Sequence, residues 1–243
     1  MRILVLSDVH GNLPALETVL QQQLSFDRIW NLGDTVGYGP WPNECVALLR
    51  SYPGSVHLAG NHDLAATGQI PTSGFNPVAA AAATWTGRHL TDMNQVWLRG
   101  LDSIRVEGDV TLAHGSPRDP AMEYILTAAQ AASMFPWFST RTCFVGHTHR
   151  PMVAVDGISV NVEHPFTPRD KQSFDVSTMR ALLNPGSVGQ PRDGDSRAAF
   201  AVYDTEFARV TFHRVEYPIE ITREAILDAG LPRSLGDRLL RGL

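Results

Sequence analysis

The sequence predicts an α/β fold built around a parallel β-sheet. Two observations lead to this prediction. Apolar segments suited to buried strands occupy residues 3–6, 26–34 and 55–63, and segments with apolar residues at helical spacing lie between them at residues 13–24 and 40–51. A chain that alternates strand, helix, strand, helix and strand forms parallel strands joined by crossover helices.

Each of the first elements has its own local signals. The first strand has four consecutive apolar residues, a pattern typical of a strand that is buried on both faces. The helix after it begins with Asn12, a good N-cap residue, and Pro14, which is favoured in a first turn. The second and third strands end in Gly33-Asp34 and in the segment GNHD.

Residues 68–100 and 117–140 interrupt the alternation. The first segment holds an alanine-rich stretch and a second periodic stretch around Trp97, and it predicts two helices. The second segment holds helical signals and several aromatic residues, and we expect it to form part of a lid. Both are expected to be insertions that shape the pocket entrance of a single domain spanning residues 1–243.

The rest of the chain predicts further strands. The segments VTLAHGSP and CFVGHTHRP are two apolar runs that end in histidines. Shorter alternating segments follow: MVAVDGISVN predicts a hairpin with its turn at Asp156 and Gly157, and residues 197–215 predict another. After Pro218 the helical periodicity is weak.

Composition limits the class of protein. The chain has 243 residues, 43% of them hydrophobic, which is enough for a sizeable core. Its net charge of -5 gives no general attraction to nucleic acids or to anionic membranes, so we expect neither as a stable partner. Cys45 and Cys143 are expected to be buried thiols in a reducing compartment, and without a signal segment the expected location is cytoplasmic. Oligomeric state stays open.

Polar side chains follow five predicted strands at the point where each strand ends. Because the carboxyl ends of parallel strands meet at one edge of a sheet, these side chains are expected to converge. Residues two apart on an extended segment face the same way, so each DxH or HxH pair is expected to present two ligands together. The side chains concerned are Asp8 and His10, Asp34 after Gly33, Asn61 and His62, His114, and His147 and His149.

The donor types indicate a metal site. Carboxylate, amide and imidazole donors without thiolates suit first-row divalent ions such as Mn, Fe, Co, Ni or Zn. His62 is expected to project away from its neighbour Asn61, which leaves seven donors: Asp8, His10, Asp34, Asn61, His114, His147 and His149. Seven donors are too many for one ion, whereas two ions that share a carboxylate fit the number.

The motifs DVH, GDTVG, GNHD, HG and GHTH, in this order from residue 8 to residue 149, resemble those of the calcineurin-like metallophosphoesterases, and the prokaryotic phosphodiesterase branch in particular. The resemblance implies a four-layer αββα sandwich around two divalent ions, of which we favour Mn²⁺. It also implies that one ion takes Asp8, His10, Asp34 and His149 while the other takes Asp34, Asn61, His114 and His147.

This arrangement has a recognisable chemistry. Two cations about 3.5 to 4 Å apart can hold a hydroxide between them and neutralise charge on a phosphate during in-line displacement. His62 would then protonate the leaving alkoxide as a general acid. The expected activity is hydrolysis of phosphodiester or phosphomonoester bonds in small substrates, with nucleotides among the candidates.

The expected substrate contacts include departures from related enzymes. Protein Ser/Thr phosphatases of this superfamily carry an Asp-Arg pair where this chain has Gly37 and Tyr38, so protein phosphatase activity is disfavoured. Asn61, Tyr38 and Arg192, the last in the turn-rich segment NPGSVGQPRD, are the expected substrate contacts. Tyr38, Trp41 and Phe75 form a candidate wall for stacking a base.

Two alternatives remain open. The first is a catalytically silent binding or scaffold protein on the same fold, as in the metallophosphoesterase-like retromer subunit; such proteins usually lose metal ligands or the acid histidine. The second is a dimetal hydrolase of carboxylate esters or amides. The intact motif set favours the phosphoesterase over both.

Overall fold

The computed structural model describes residues 1–157 and 166–243. Two β-sheets form its centre. Their strands are β1 (Arg2–Leu6), β2 (Arg28–Asn31), β3 (Val56–His57), β4 (Ile104–Glu107), β5 (Val110–Ala113), β6 (Thr142–Phe144), β7 (Met152–Val155), β8 (Ser173–Asp175), β9 (Ala181–Asn184), β10 (Ala198–Asp204) and β11 (Arg209–Val215). The described helices are α1 (Leu13–Leu20), α2 (Pro42–Arg50), α3 (Asn61–Ala66), α4 (Pro77–His89), α5 (Asp92–Arg99), α6 (Ala128–Met134), α7 (Ile219–Asp228) and α8 (Arg233–Leu239).

The two sheets have different strand orders. The six-stranded sheet runs β3-β2-β1-β10-β11-β8, and its first three strands are parallel. The five-stranded sheet runs β4-β5-β6-β9-β7, and β5, β6 and β9 are parallel. Each sheet therefore contains one set of three parallel strands, and each set has its own row of carboxyl ends.

Helices cover the outer faces of both sheets, which confirms the expected α/β class and the layered sandwich. Side chains on alternate positions of β1 show this arrangement. Val5 points into the core between the sheets, where it packs with residues of both sheets such as Phe144. Leu4 points outward and packs with Leu16 of α1 and Leu49 of α2. Burial on both faces explains why β1 is apolar without alternation.

The structure corrects several predicted boundaries. The strand predicted over residues 55–63 is short, because Asn61 already begins α3; the Asp63 carboxylate accepts a hydrogen bond from the Gly60 N–H at 2.9 Å and holds this turn. The first helix ends at Leu20 rather than at residue 24. Strand β4, which forms a hairpin with β5, was not predicted.

Other predictions are confirmed. Residues 68–100 contain two main helices, α4 and α5, and residues 198–215 form the β10–β11 hairpin. The first arm of the hairpin predicted at MVAVDGISVN is β7, whereas its second arm lies outside the described residues. The weakly periodic C-terminus forms α7 and α8. No helix in the described ranges is long and apolar enough to cross a membrane.

Candidate metal centre

Six strand ends meet at one edge of the sandwich. The loop after β1 runs beside the loop after β2, since the Asp8 N–H donates to the Gly33 carbonyl at 3.0 Å and the His10 N–H to the Asp34 carbonyl at 2.9 Å. The loop after β9 completes the edge, because the Gly189 N–H donates to the Asp8 carbonyl at 2.9 Å. Five of these ends were predicted to carry the site, and the sixth brings the segment NPGSVGQPRD beside them.

The backbone at the site is left-handed at unusual positions. Six of the eight non-glycine residues with positive φ in the described ranges are Asp8, His10, Asp34, Tyr38, His147 and His149. Left-handed backbone is unfavourable for such residues and collects at functional sites. The extended geometry expected for the DxH and HxH pairs is therefore wrong. Although His147 and His149 are two apart, their rings reach different ligand groups.

Two groups of buried side chains have ligand atoms within 4.8 Å of one another. The first group is Asp8, His10, Asp34 and His149, and the second is Asp34, His114 and His147. Asp34 belongs to both groups, and its Oδ2 atom lies 3.5 Å from Nε2 of His10 and 3.5 Å from Nε2 of His114. The amide oxygen of Asn61 lies 3.2 Å from Nε2 of His114, so it extends the second group.

The histidine rings are held in orientations that expose a lone pair. Nδ1 of His10, His114 and His149 lies within hydrogen-bond distance of the carbonyl oxygens of Val36, Leu32 and Gln190, at 3.1, 3.0 and 2.6 Å. For His147 the same role falls to Nε2, which lies 3.2 Å from the Met122 carbonyl. Because a carbonyl can only accept, each of these nitrogens carries the proton, and the opposite nitrogen faces the group as a lone pair.

The two aspartate carboxylates also present oxygens that have no partner. Within the described ranges, Asp8 Oδ1 and Asp34 Oδ2 are buried without a hydrogen-bond partner. Burial raises the pKa of Asp8 to about 7 and that of Asp34 well above its usual value. Burial also lowers the pKa of His114 to about 3 and that of His147 to about 2. The residues therefore fit divalent cations, which would compensate the buried carboxylates and use the facing lone pairs.

His62 lies beside both groups without belonging to either. Its backbone N–H donates to Asp34 Oδ1 at 2.8 Å, and its ring is buried 4.9 Å from the ring of His10. Gly37 makes room for this ring, because a Cβ there would lie 2.7 Å from His62 Nδ1. Burial, the Arg192 charge and His147 keep the pKa of His62 well below its usual value.

Comparison with known proteins assigns the family. Residues 1–207 match the family model described as the calcineurin-like phosphoesterase superfamily domain. The chain belongs to this superfamily. Its Asp/His cluster and its family together indicate a metal-binding hydrolase of the phosphoesterase type.

Individual relatives agree with this assignment. A metallophosphoesterase from Sphaerobacter thermophilus, known from a crystal structure, shares 48% sequence identity with this chain. The two structures superpose with a TM-score of 0.92, and the alignment covers 100% of this chain and 99% of that one. The uncharacterized protein MJ0912 of Methanocaldococcus jannaschii is 34% identical over 99% of this chain and 98% of its own. A symmetrical bis(5'-nucleosyl)-tetraphosphatase of Aromatoleum aromaticum is 29% identical over 47% of this chain and 44% of its own.

In this calcineurin-like phosphoesterase, two of the three proposed stacking residues reach the site. The ring of Tyr38 lies 4.3 Å from that of His62, and the ring of Phe75 lies 5.1 Å from it. Within the described part of the chain, Trp41 makes no ring contact with the histidines; it stands at the N-cap of α2. Arg192 lies over Tyr38, with its Cζ 5.6 Å from the ring centroid.

Several residues that hold the site had no predicted role. Asp63 accepts from the backbone N–H groups of Thr35 and Val36, at 3.2 and 3.0 Å, and so ties the GDTVG loop to α3. The Ser187 hydroxyl donates to the Asp8 carbonyl at 2.8 Å. Asp63 is the final residue of the GNHD motif, so the sequence contains the signal for it, whereas the position of Ser187 beside Asp8 depends on β9 lying next to the other strand ends.

The predicted lid segment borders the candidate metal centre. The ring of Tyr124 lies against that of His147, with centroids 3.8 Å apart and planes tilted by 33°. Beside it, a pocket of about 380 Å³ is lined by residues of this segment and by polar side chains next to His149, among them Thr148, Arg150 and Arg192. The two ligand groups therefore lie next to a cavity of this size.

Proposed function

We propose that this protein is a dimetal phosphoesterase that hydrolyses phosphodiester or phosphomonoester bonds of small substrates, with nucleotides the favoured class. The single observation that carries the proposal is the position of Asp34. One buried carboxylate is shared by two groups of ligands that are otherwise separate. Two divalent ions held close together by such ligands would stabilise the attacking and leaving oxygens of an in-line displacement at phosphorus.

The ligands divide between the two ions as the motif resemblance implies. Asp8, His10, Asp34 and His149 would hold one ion, and Asp34, Asn61, His114 and His147 the other; Mn²⁺ is the favoured ion. When bound, the ions supply positive charge for the phosphate oxygens and favour the ionisation of water. The protein's own contribution is to keep every ligand nitrogen unprotonated by holding the opposite ring nitrogen on a backbone carbonyl.

His62 is proposed as the general acid. Its ring lies beside the ligand cluster but outside both groups, and its Nδ1 has no partner within the described ranges. An anionic phosphate beside the ring would raise its pKa and so favour the protonated form. His62 could then transfer this proton to the leaving oxygen, a step typically worth about 10² to 10⁴ in rate.

Three residues are proposed to bind the substrate. Arg192 can form charge-assisted hydrogen bonds to a phosphate. Its charge partly offsets the burial that raises the pKa of Asp8 and Asp34, and it adds to the burial that lowers the pKa of His62. Tyr38 lies between this guanidinium and the rings of His10 and His62. Asn61 has its amide at the second group, where it can contact a phosphate as well as an ion. Partial similarity to a dinucleoside tetraphosphatase supports a nucleotide substrate.

The test is Mn²⁺-supplemented hydrolysis of bis(p-nitrophenyl) phosphate and p-nitrophenyl phosphate, with p-nitrophenyl acetate as a carboxylate ester. We expect turnover of at least one phosphate ester and its loss in Asp34→Ala. Activity on the acetate alone would indicate the other hydrolase class. No turnover of any ester by protein shown to contain two ions per chain would contradict the proposal and favour a binding protein.

A further inference from the structure

The C-terminal helix α8 brings a second guanidinium to the site. Arg238 Nη1 donates to Gln190 Oε1 at 3.2 Å, and Arg192 Nη2 donates to the same oxygen at 2.8 Å. Two positive side chains therefore converge on one neutral oxygen. The family match ends at residue 207, so Arg238 belongs to a part of the chain beyond the matched core.

The arginine pair is connected directly to the ligand groups. The backbone carbonyl of Gln190 accepts from His149 Nδ1 at 2.6 Å, so the residue that orients a ligand histidine also holds both guanidiniums. The Gln190 side chain is buried, and the backbone N–H of Gln190 donates to the Ser187 hydroxyl at 2.8 Å. Gln190 therefore defines the position of the two arginines relative to the ligand groups.

The pair has no negative partner in the described part of the chain. No carboxylate there lies within 4.0 Å of the guanidinium nitrogens of Arg192 or Arg238, whereas neighbouring arginines such as Arg214 and Arg223 are paired with aspartates. Burial and the Arg192 charge lower the pKa of Arg238. Holding two like charges together in a half-buried position costs free energy, and an anion bound between them would recover it.

The helix holds Arg238 firmly against the site. Leu235 and Leu239 of α8 are buried and pack in the same cluster as Tyr38, whose ring contacts His62. The two side chains remain only partly buried, so an anion can reach them from solvent. The scissile phosphate would lie at the two ligand groups, and the arginine pair is joined to the first of these groups through Gln190 and His149.

We propose that Arg238 and Arg192 together bind a second phosphate of the substrate, next to the phosphate at the two ligand groups. The protein would then prefer substrates with a diphosphate or longer chain. The proposal rests on the proposed function for the position of the first phosphate. Arg238 is then a specificity-determining residue, because a substrate with a single phosphate leaves it without a ligand. Planar guanidiniums suit this role since they bind phosphate oxygens in pairs.

The experiment compares two non-hydrolysable ligands by calorimetry on Mn²⁺-loaded protein. Methylphosphonate carries one phosphonate group and methylenediphosphonate carries two. We expect wild-type protein to bind the second at least tenfold more tightly, and Arg238→Gln to reduce this ratio by about tenfold, the effect of losing one charge-assisted contact worth about 1.4 kcal/mol. Arg238→Lys, which keeps the charge without the planar fork, should retain an intermediate ratio.

The matched control is Arg233→Gln. It removes the same charge from the same helix, but Arg233 is exposed and paired with Asp237, so the ratio should stay at its wild-type value. An unchanged ratio in Arg238→Gln, or an equal loss for both ligands, would overturn the proposal. Because binding is measured rather than turnover, this result is independent of the hydrolysis assay: a protein that fails to hydrolyse esters but shows the Arg238-dependent ratio contradicts only the proposed function.

Discussion

Nε2 of His10 and Nε2 of His149 lie 3.0 Å apart, although neither nitrogen carries a proton. Each ring donates its Nδ1 proton to a backbone carbonyl, so the two lone pairs face each other. Burial keeps the pKa of both rings well below its usual value, which prevents a shared proton from relieving the contact at neutral pH. A cation near both nitrogens would relieve the repulsion between the two lone pairs.

We therefore predict that added Mn²⁺ stabilises the metal-free protein and that each chain binds about two ions. At 100 times the dissociation constant, one bound ion adds about 2.7 kcal/mol to the free energy of unfolding. Elemental analysis of dialysed protein and thermal unfolding with and without Mn²⁺ test this. Asp34→Ala should lose most of the bound metal, whereas Asp228→Ala, an exposed acid on α7, should retain it. Equal metal content in these two variants would contradict the shared-carboxylate arrangement.

Replacement of His62 should affect poor leaving groups most. A general acid matters when the departing oxygen is basic, so His62→Asn should lower kcat on an alkyl phosphate ester by about 10² to 10⁴ and on a p-nitrophenyl ester much less. The measurement is kcat for a series of esters with leaving groups of different pKa. His89→Asn, at an exposed site, is the control. The general-acid role would be excluded if His62→Asn reduced all esters by the same factor.

Gly189 is expected to tolerate no side chain. A Cβ there would lie 1.8 Å from the Val9 carbonyl oxygen, in the place where the loop after β9 meets the loop after β1. Gly189→Ala must separate these loops, so we expect loss of metal binding together with a fall in stability of about 2 kcal/mol or more. Gly74→Ala has open space around its Cβ and should be nearly neutral. Urea unfolding and metal content of both variants test this, and a metal-loaded Gly189→Ala of normal stability would contradict it.

The stability of the protein should fall between pH 7 and pH 5 partly because of His57. Burial against Trp97 lowers the pKa of His57 to about 4. Because the unfolded chain takes up this proton near pH 6.5 and the folded chain does so only near pH 4, falling pH favours unfolding across this interval. The contribution is about 2 kcal/mol at pH 5 relative to pH 7.

Replacement of His57 by leucine tests this linkage. The difference in unfolding free energy between pH 7 and pH 5, measured in urea on metal-loaded protein, should be smaller in His57→Leu than in wild type by that amount. His89→Gln, which changes an exposed histidine, should keep the wild-type difference. If His57→Leu and wild type lose equal stability over this interval, the assigned pKa of His57 is wrong.

Much of the architecture follows from local pattern. The double-sided burial of β1 is visible in its unbroken apolar run, and the histidines and aspartates stand out because each follows such a run. Parallel strands place their carboxyl ends together, so the convergence of the donors at one edge also follows from strand order. Strand β4 lacked such a signal because it is an exposed edge strand without a buried face.

The sequence by itself determined which side chains could hold a metal, because their chemistry and their places after apolar runs are local properties. Only the tertiary structure decided how they are grouped. Left-handed backbone turns His147 and His149 to different groups, and backbone carbonyls from Val36, Leu32, Gln190 and Met122 select the nitrogen that each ring presents. Arg238 and Arg192 are 46 residues apart in the sequence, and they meet because α8 packs against Tyr38. No local pattern encodes a contact over that separation.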